Sequence, residues 1–322
     1  MAFRLRKTLA AVCAAFALSL PAGAADYPER PVTIVAPYGA GGSSDTLARM
    51  LAERLNEVLG GNFIVENRSG AGSRVGTESV ARSDADGYTL LLADMPYAIV
   101  PNVYDDVAYK AEDFIAIAQV GLAPIVLFAS PGMEDASIQA VTEKAKSAED
   151  AIAIGSGGIG ATTHMVAELF QAQVDAKLLH VPFGGTGPSL QGLAGSQVDV
   201  AFGSYASGRS LAEAGSIQVI GVTSPERVAI LPDVPTFAES GVDLEVRHWW
   251  GLLAPKGTPD EIVDSLRTAV AEILKEDVVL DRLSKLGVSP GELAPEDFQA
   301  FLSTENQRWA DIVESAGIEV SQ

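Results

Sequence analysis

Apolar residues fall into two patterns along this chain: short unbroken runs, and runs recurring at every third or fourth position. Glycine, serine or proline marks each switch. Val32-Thr33-Ile34-Val35 is a strand-like run between Pro31 and Pro37. Leu47, Met50, Leu51, Leu55 and Val58 then share one helical face, which Gly60-Gly61 stops. Phe63-Ile64-Val65 predicts the next strand, 77–81 a helix, and Tyr88 to Leu92 another strand. This order predicts an α/β fold with a mainly parallel sheet and helices on its faces.

Two apolar runs within 115–130 predict a crossing into a second lobe with its own alternation. There, Ala151 to Ile154 is a predicted strand, and Met165, Val166, Leu169 and Phe170 line one helix face. Leu178 to Val181 is a strand, Pro188 opens a short helix, and 198–202 and 217–222 are strands. Trp249-Trp250-Gly251-Leu252-Leu253-Ala254 predicts the return crossing. Thr258-Pro259-Asp260-Glu261 has the form of a capping box, with Ile262, Leu266, Val270 and Ile273 continuing the helix. The last helix is predicted to start near Pro295. The expected organisation is a discontinuous domain one at 26–125 plus 250–322, a domain two at 126–249, and a hinge between them.

The first 25 residues stand apart from this alternation. Arg4, Arg6 and Lys7 precede an apolar run from Thr8 to Leu20, and Pro21-Ala22-Gly23-Ala24-Ala25 offers small residues for cleavage. This predicts a secretory signal peptide over 1–25, its apolar run being shorter than the ~20 residues that span a bilayer. Cys13, the only cysteine, would leave with it, so the exported chain is expected to hold together without disulfides. The full chain has a formal charge of −20, and the three basic residues lost with the leader make the remainder more acidic still. Such a chain is repelled by nucleic acid and anionic lipid.

Two glycine-rich turns carry the candidate chemistry. One is Pro37-Tyr38-Gly39-Ala40-Gly41-Gly42-Ser43-Ser44-Asp45; the other runs from Gly155 through Ser156, Gly157, Gly158 and Gly160 to Thr162, Thr163 and His164. Each follows a strand and opens a helix. Unpaired backbone N–H groups and the helix dipole then attract an anion without a cationic side chain. Two such turns, one per lobe, suggest closure on a carboxylate, captured by local donors because long-range fields are screened beyond about 8–10 Å. The same residues also suit plain, well-capped loops. Thr163→Pro is expected to remove an amide donor at a position that tolerates proline, and Ser44→Ala to be mild. A third turn, Gly184-Gly185-Thr186-Gly187-Pro188, either adds donors or reverses the chain. Tyr38, Tyr205, His248, Trp249 and Trp250 either wall an organic ligand or, for the tryptophans, fill an interlobe core.

Other chemistry is weakly signalled. Gly155-x-Gly157-x-x-Gly160 matches the dinucleotide fingerprint, but Asp175 precedes the following strand, whereas a ribose-binding acid sits at a strand's end. His164, His180 and His248 lack metal-ligand spacing, and a neutral, hydrogen-bonding His164 is expected at a helix start. No Gly-x-Ser-x-Gly nucleophile motif occurs. Neither cofactor, metal nor catalytic residue is expected.

The motifs together resemble the solute-binding proteins of tripartite tricarboxylate transporters, the Bug receptors. Matching stretches include 40–45 with Ala48-Arg49, Val65-Glu66-Asn67-Arg68-Ser69-Gly70-Ala71-Gly72 and Asp86-Gly87-Tyr88-Thr89-Leu90. Further matches are Gly155-Ser156-Gly157-Gly158 leading to His164, Val181-Pro182-Phe183, Gly195-Ser196-Gln197-Val198-Asp199, 231–236 and Gly251-Leu252-Leu253-Ala254-Pro255. The resemblance implies a two-lobed, monomeric periplasmic binding protein that hands a small organic acid to membrane permease subunits. Carried over by position, the ligand-binding candidates are Tyr38, Ala40, Gly41, Ser44, Asp45, Ser156, Gly157, Thr162, Thr163 and His164. Gly184 and Tyr205 join them from the residues alone. Two departures stand out: Gly184 follows Val181-Pro182-Phe183 where the family often has lysine, and Phe202-Gly203-Ser204-Tyr205 lacks the usual acid or amide. A roomier, less charged far half of the pocket follows. A sensor of the same fold, or an exported hydrolase, are the alternatives.

Overall fold

The computed structural model describes residues 27–316. The predicted signal peptide and Cys13 lie outside them. The chain first lays down β1 (Val32–Ala36), β2 (Phe63–Asn67), β3 (Thr89–Asp94) and β4 (Phe114–Pro124). It crosses to build β5 (Val126–Ala129), β6 (Ala153–Ser156), β7 (Leu179–Pro182), β8 (Val200–Gly203) and β9 (Gln218–Val222). It then returns as β10 (Arg247–Pro255) and β11 (Ser289–Pro290). The result is a six-stranded sheet ordered β11-β4-β10-β3-β1-β2 and a five-stranded sheet ordered β7-β6-β8-β5-β9.

The mainly parallel sheets expected from the alternation are only half present. β1 is parallel to β2 and β3, and β6 is parallel to β7 and β8. β4 pairs antiparallel with β10 and β11, β10 with β3, and β5 with β8 and β9. The reason is the double crossing. A strand that carries the chain out of one lobe must run opposite to the strand that brings it back. At the crossing, buried Thr223 ties the two connections together: its hydroxyl accepts the Ile125 N–H (3.0 Å), and its carbonyl accepts the Val246 N–H (3.1 Å).

The helices are α1 (Ser43–Leu59), α2 (Arg74–Ala81), α3 (Pro96–Val103), α4 (Ile138–Ser147), α5 (Thr162–Val174), α6 (Thr186–Ala194), α7 (Tyr205–Glu213), α8 (Asp260–Ile273), α9 (Asp277–Lys285) and α10 (Pro295–Ala316). α1 buries Leu47, Leu51 and Leu55, and stops where Gly60 turns left-handed (φ +67°) and returns its N–H to the Asn56 carbonyl. The capping box expected at α8 does not form. The Thr258 hydroxyl instead donates to the Pro255 carbonyl (2.8 Å) in the tight turn leaving β10, so Pro259 stands at the cap. α10 lies against α3 and β4 on one side and α5 on the other, closing a core shared by both sheets.

Candidate functional site

Five helices begin around one cavity of about 380 Å³ between the two sheets. Gly42, Ser43 and Ser44 bring the start of α1 to it, and Pro96 the start of α3. Ala161, Thr162 and Thr163 bring α5, Thr186 brings α6, and Ser204 and Ser207 bring α7. Each helix start follows a strand end, the usual place for a ligand in α/β sheets. The first amides of each helix have no acceptor within it, so their partial positive charge is directed at the cavity. Ala123, Pro124, Ile125, Pro96 and Trp250 supply apolar wall. Among the described residues, no lysine or arginine lines it.

The first turn is held open from behind. Gly41 adopts φ +89°, a conformation that favours glycine, and its N–H donates to Asp45 Oδ2 (2.9 Å). Asp45 also accepts from Asn67 Nδ2 (2.9 Å) and Arg49 Nε (3.1 Å). Burial by itself raises the Asp45 pKa, yet the hydrogen bonds from Arg49, Gly41 and Asn67 together hold it below the ordinary value. Asp45 is therefore a brace for the turn, and the Gly41 amide is already used. On the cavity side, Tyr38 Oη donates to Asp94 Oδ1 (2.8 Å), and Ser44 Oγ donates to Asp94 Oδ2 (3.3 Å) while accepting Trp250 Nε1–H (3.1 Å). The Tyr38 phenol is raised well above its usual value by burial and then by the Asp94 carboxylate.

The second turn spends most of its glycine amides internally. The Gly157 N–H donates to Thr163 Oγ1 (2.8 Å), Gly158 N–H to Ser156 Oγ (3.1 Å) and Gly160 N–H to His164 Nδ1 (3.1 Å). An accepting Nδ1 carries no proton, so His164 has its hydrogen on Nε2, which faces Glu168 Oε1 at 3.3 Å. Ser156 Oγ lies 2.6 Å from His180 Nε2, but Ser156 is fully buried and does not reach the cavity.

Of the twelve residues singled out in the sequence, Tyr38, Ser44, Thr162 and Thr163 line the cavity. Ala40, Gly41, Asp45, Ser156, Gly157, His164, Gly184 and Tyr205 do not, and most of them shape the turns behind it. Arg49 pairs with Asp45 and Arg68 with Glu66, both away from the cavity. Asp94, at the end of β3, also lines the cavity, and its place at a strand end is its only signal in the sequence. His248 and Trp250 line the cavity, whereas Trp249 is fully buried on the opposite face of β10. A depression of about 710 Å³ between α4, α5 and α10 is larger, but no helix start opens into it. Among the described residues no group of acidic, histidine or cysteine side chains is arranged for a metal.

The histidine pair makes acid stability a readout of the second turn. His180 stacks on His164, with ring centroids 4.1 Å apart. Burial, then the neighbouring His164, pushes His180 down to about 4 from 6.5. The unfolded chain therefore binds a proton between these values that the folded chain refuses, so stability is lost as pH falls from 6.5 towards 4. We expect His180→Gln to flatten that part of the melting-temperature profile relative to the unsubstituted protein. Parallel profiles would show that His180 stays neutral in neither state preferentially.

The family model described as tripartite tricarboxylate transporter family receptor matches residues 47–318. Protein BugT of Bordetella pertussis is 32% identical over 318 residues, covering 98% of each chain. An R. palustris protein solved with adipate is 33% identical, with a TM-score of 0.81 over 91% of this chain and 99% of its own. MatC from Rhodopseudomonas palustris, solved with bound malate, is 30% identical, with a TM-score of 0.77 over 89% of this chain and 100% of its own.

Proposed function

The chain belongs to the tripartite tricarboxylate transporter receptor family, and we propose that it captures a small organic carboxylate between its two lobes for delivery to the membrane permease subunits of such a transporter. One observation carries this: five helix starts converge on a cavity that no lysine or arginine lines, among the described residues. The partial charges at helix starts are worth most where water is excluded and solvent screening is weak. They also suit a chain whose net charge is −20, since their pull is local and survives an unfavourable long-range field.

In this reading the protein works by binding, without catalysing a reaction. It acts as a monomer outside the cytoplasmic membrane after export by the leader at 1–25. The lobes divide as 26–125 plus 250–322 and 126–249, with the ligand between them. Tyr38, Ser44, Thr162 and Thr163 contact the acid, while Ala40, Gly41, Asp45, Ser156, Gly157 and His164 shape the two turns. Gly184 and Tyr205 precede or open helices whose neighbouring residues Thr186 and Ser204 line the cavity. A panel of aliphatic and aromatic acids tests the reading by thermal unfolding. At 100 times its dissociation constant, a matching acid is expected to stabilise the protein by about 2.7 kcal/mol. Stabilisation by neutral solutes alone, with every acid inert, would remove the anion site from consideration.

A further inference from the structure

The cavity holds a group that a pocket for plain carboxylates does not need. Asp94 closes β3, is only 4% exposed, and its carboxylate forms part of the cavity wall. The two hydroxyls of Tyr38 and Ser44 are its hydrogen-bond donors. An ionised carboxylate offers about four lone-pair sites, so roughly half its capacity is unused. Among the described residues the nearest basic nitrogen is His248 Nε2, which stands 3.6 Å from Oδ2, beyond hydrogen-bond reach, and its ring is set against Trp250 with centroids 4.4 Å apart. The start of α3 immediately follows Asp94 and contributes partial positive charge, about half an elementary charge at most. A buried carboxylate with lone pairs to spare on a cavity wall is suited to a ligand cation that brings its own N–H donors.

The position of Asp94 indicates where that cation comes from. Ser44, which touches Asp94, also belongs to the first turn of α1, so an anion held by those amides sits beside a like charge. A plain acid meets repulsion there. An acid with a protonated nitrogen close to its carboxylate meets a complementary group at both ends. We propose that the ligand is an amino acid in the chemical sense, its carboxylate on the helix starts and its ammonium group on Asp94. This rests on the cavity being a carboxylate site.

Matched pairs test it by calorimetry at pH 7: aspartate against succinate, glutamate against glutarate, 2-aminoadipate against adipate, with the diamine cadaverine as a ligand lacking any carboxylate. At least one amino-bearing member is expected to bind about tenfold tighter than its plain partner, as expected for a desolvated charge pair. Asp94→Asn, nearly isosteric, is expected to erase that preference. Plain acids binding as well as or better than their amino partners would overturn the proposal in the unsubstituted protein alone, leaving the carboxylate site standing. So would a preference that survives in a folded Asp94→Asn protein. Binding of cadaverine with every acid inert would instead overturn the carboxylate site, and the amino-acid proposal with it.

Discussion

Replacing Thr162 with proline weakens carboxylate binding about tenfold or more and leaves the fold intact. Thr162 is the first residue of α5, where proline is well tolerated because its missing N–H has no helical acceptor to lose. The preceding residue, Ala161, already has φ −67° and ψ 155°, the extended conformation that proline demands of its neighbour. The substitution therefore removes one donor facing the cavity and little else. A hydrogen bond to a charged group is worth about 1.5–3 kcal/mol, and 1.4 kcal/mol is tenfold in affinity. Thr162→Val is the control, because it deletes the hydroxyl and keeps the amide; it is expected to change affinity by less than about threefold. Calorimetry with the tightest-binding acid, alongside circular dichroism, checks both variants. Equal losses in the two would transfer recognition from backbone to side chain. The sequence alone placed this probe at Thr163, but the Thr163 hydroxyl accepts the Gly157 N–H, so proline there also dismantles the turn. Ser44→Ala is likewise more disruptive than its small size suggests, since Ser44 Oγ connects Trp250 to Asp94.

Trp249→Ala is expected to cost about 3–5 kcal/mol of stability, the range for emptying a large aromatic site in a core. The Trp249 ring is fully buried, and meets Phe298 and Phe301 of α10 edge-on at 5.8 and 6.0 Å and Tyr97 of α3 at 6.2 Å. These contacts fasten α10 to the sheet at the crossing. Its neighbour Trp250 points to the other face of β10, as the two-residue period of a strand requires, and there it lines the cavity. Trp250→Phe keeps most of the packing and drops the N–H to Ser44, so it should affect binding more than stability. Urea unfolding of both variants distinguishes them. A loss below about 1.5 kcal/mol in Trp249→Ala would mean that the site collapses on the cavity, contrary to the crowded ring contacts.

The local elements were readable in the chain because their signals are local. Apolar period, a glycine stop such as Gly60 and a strand–glycine–helix switch such as 36–43 each depend on a few adjacent residues, and the structure follows them. α3 contains Pro101, and α4, α7 and α9 are ten residues or fewer, so each offers few apolar positions from which to read a period. The Thr258 capping box failed for a related reason: one hydroxyl had two acceptable partners, and the turn leaving β10 chose the other.

For the site, residue order established that two glycine turns open helices in separate halves of the chain. Tertiary structure decided which of their donors face a ligand. Amides of Gly41, Gly157, Gly158 and Gly160 are consumed by nearby side chains, a matter of turn conformation that composition does not encode. Only folding gathers Ser44, Asp94, Thr162, Thr186, Ser204 and Trp250 around one space, because that depends on strand order and on the double crossing between sheets. In the sequence, Asp94 is one acid among 42; its burial, its two hydroxyl partners and the absence of a hydrogen-bonded cation among the described residues exist only in three dimensions.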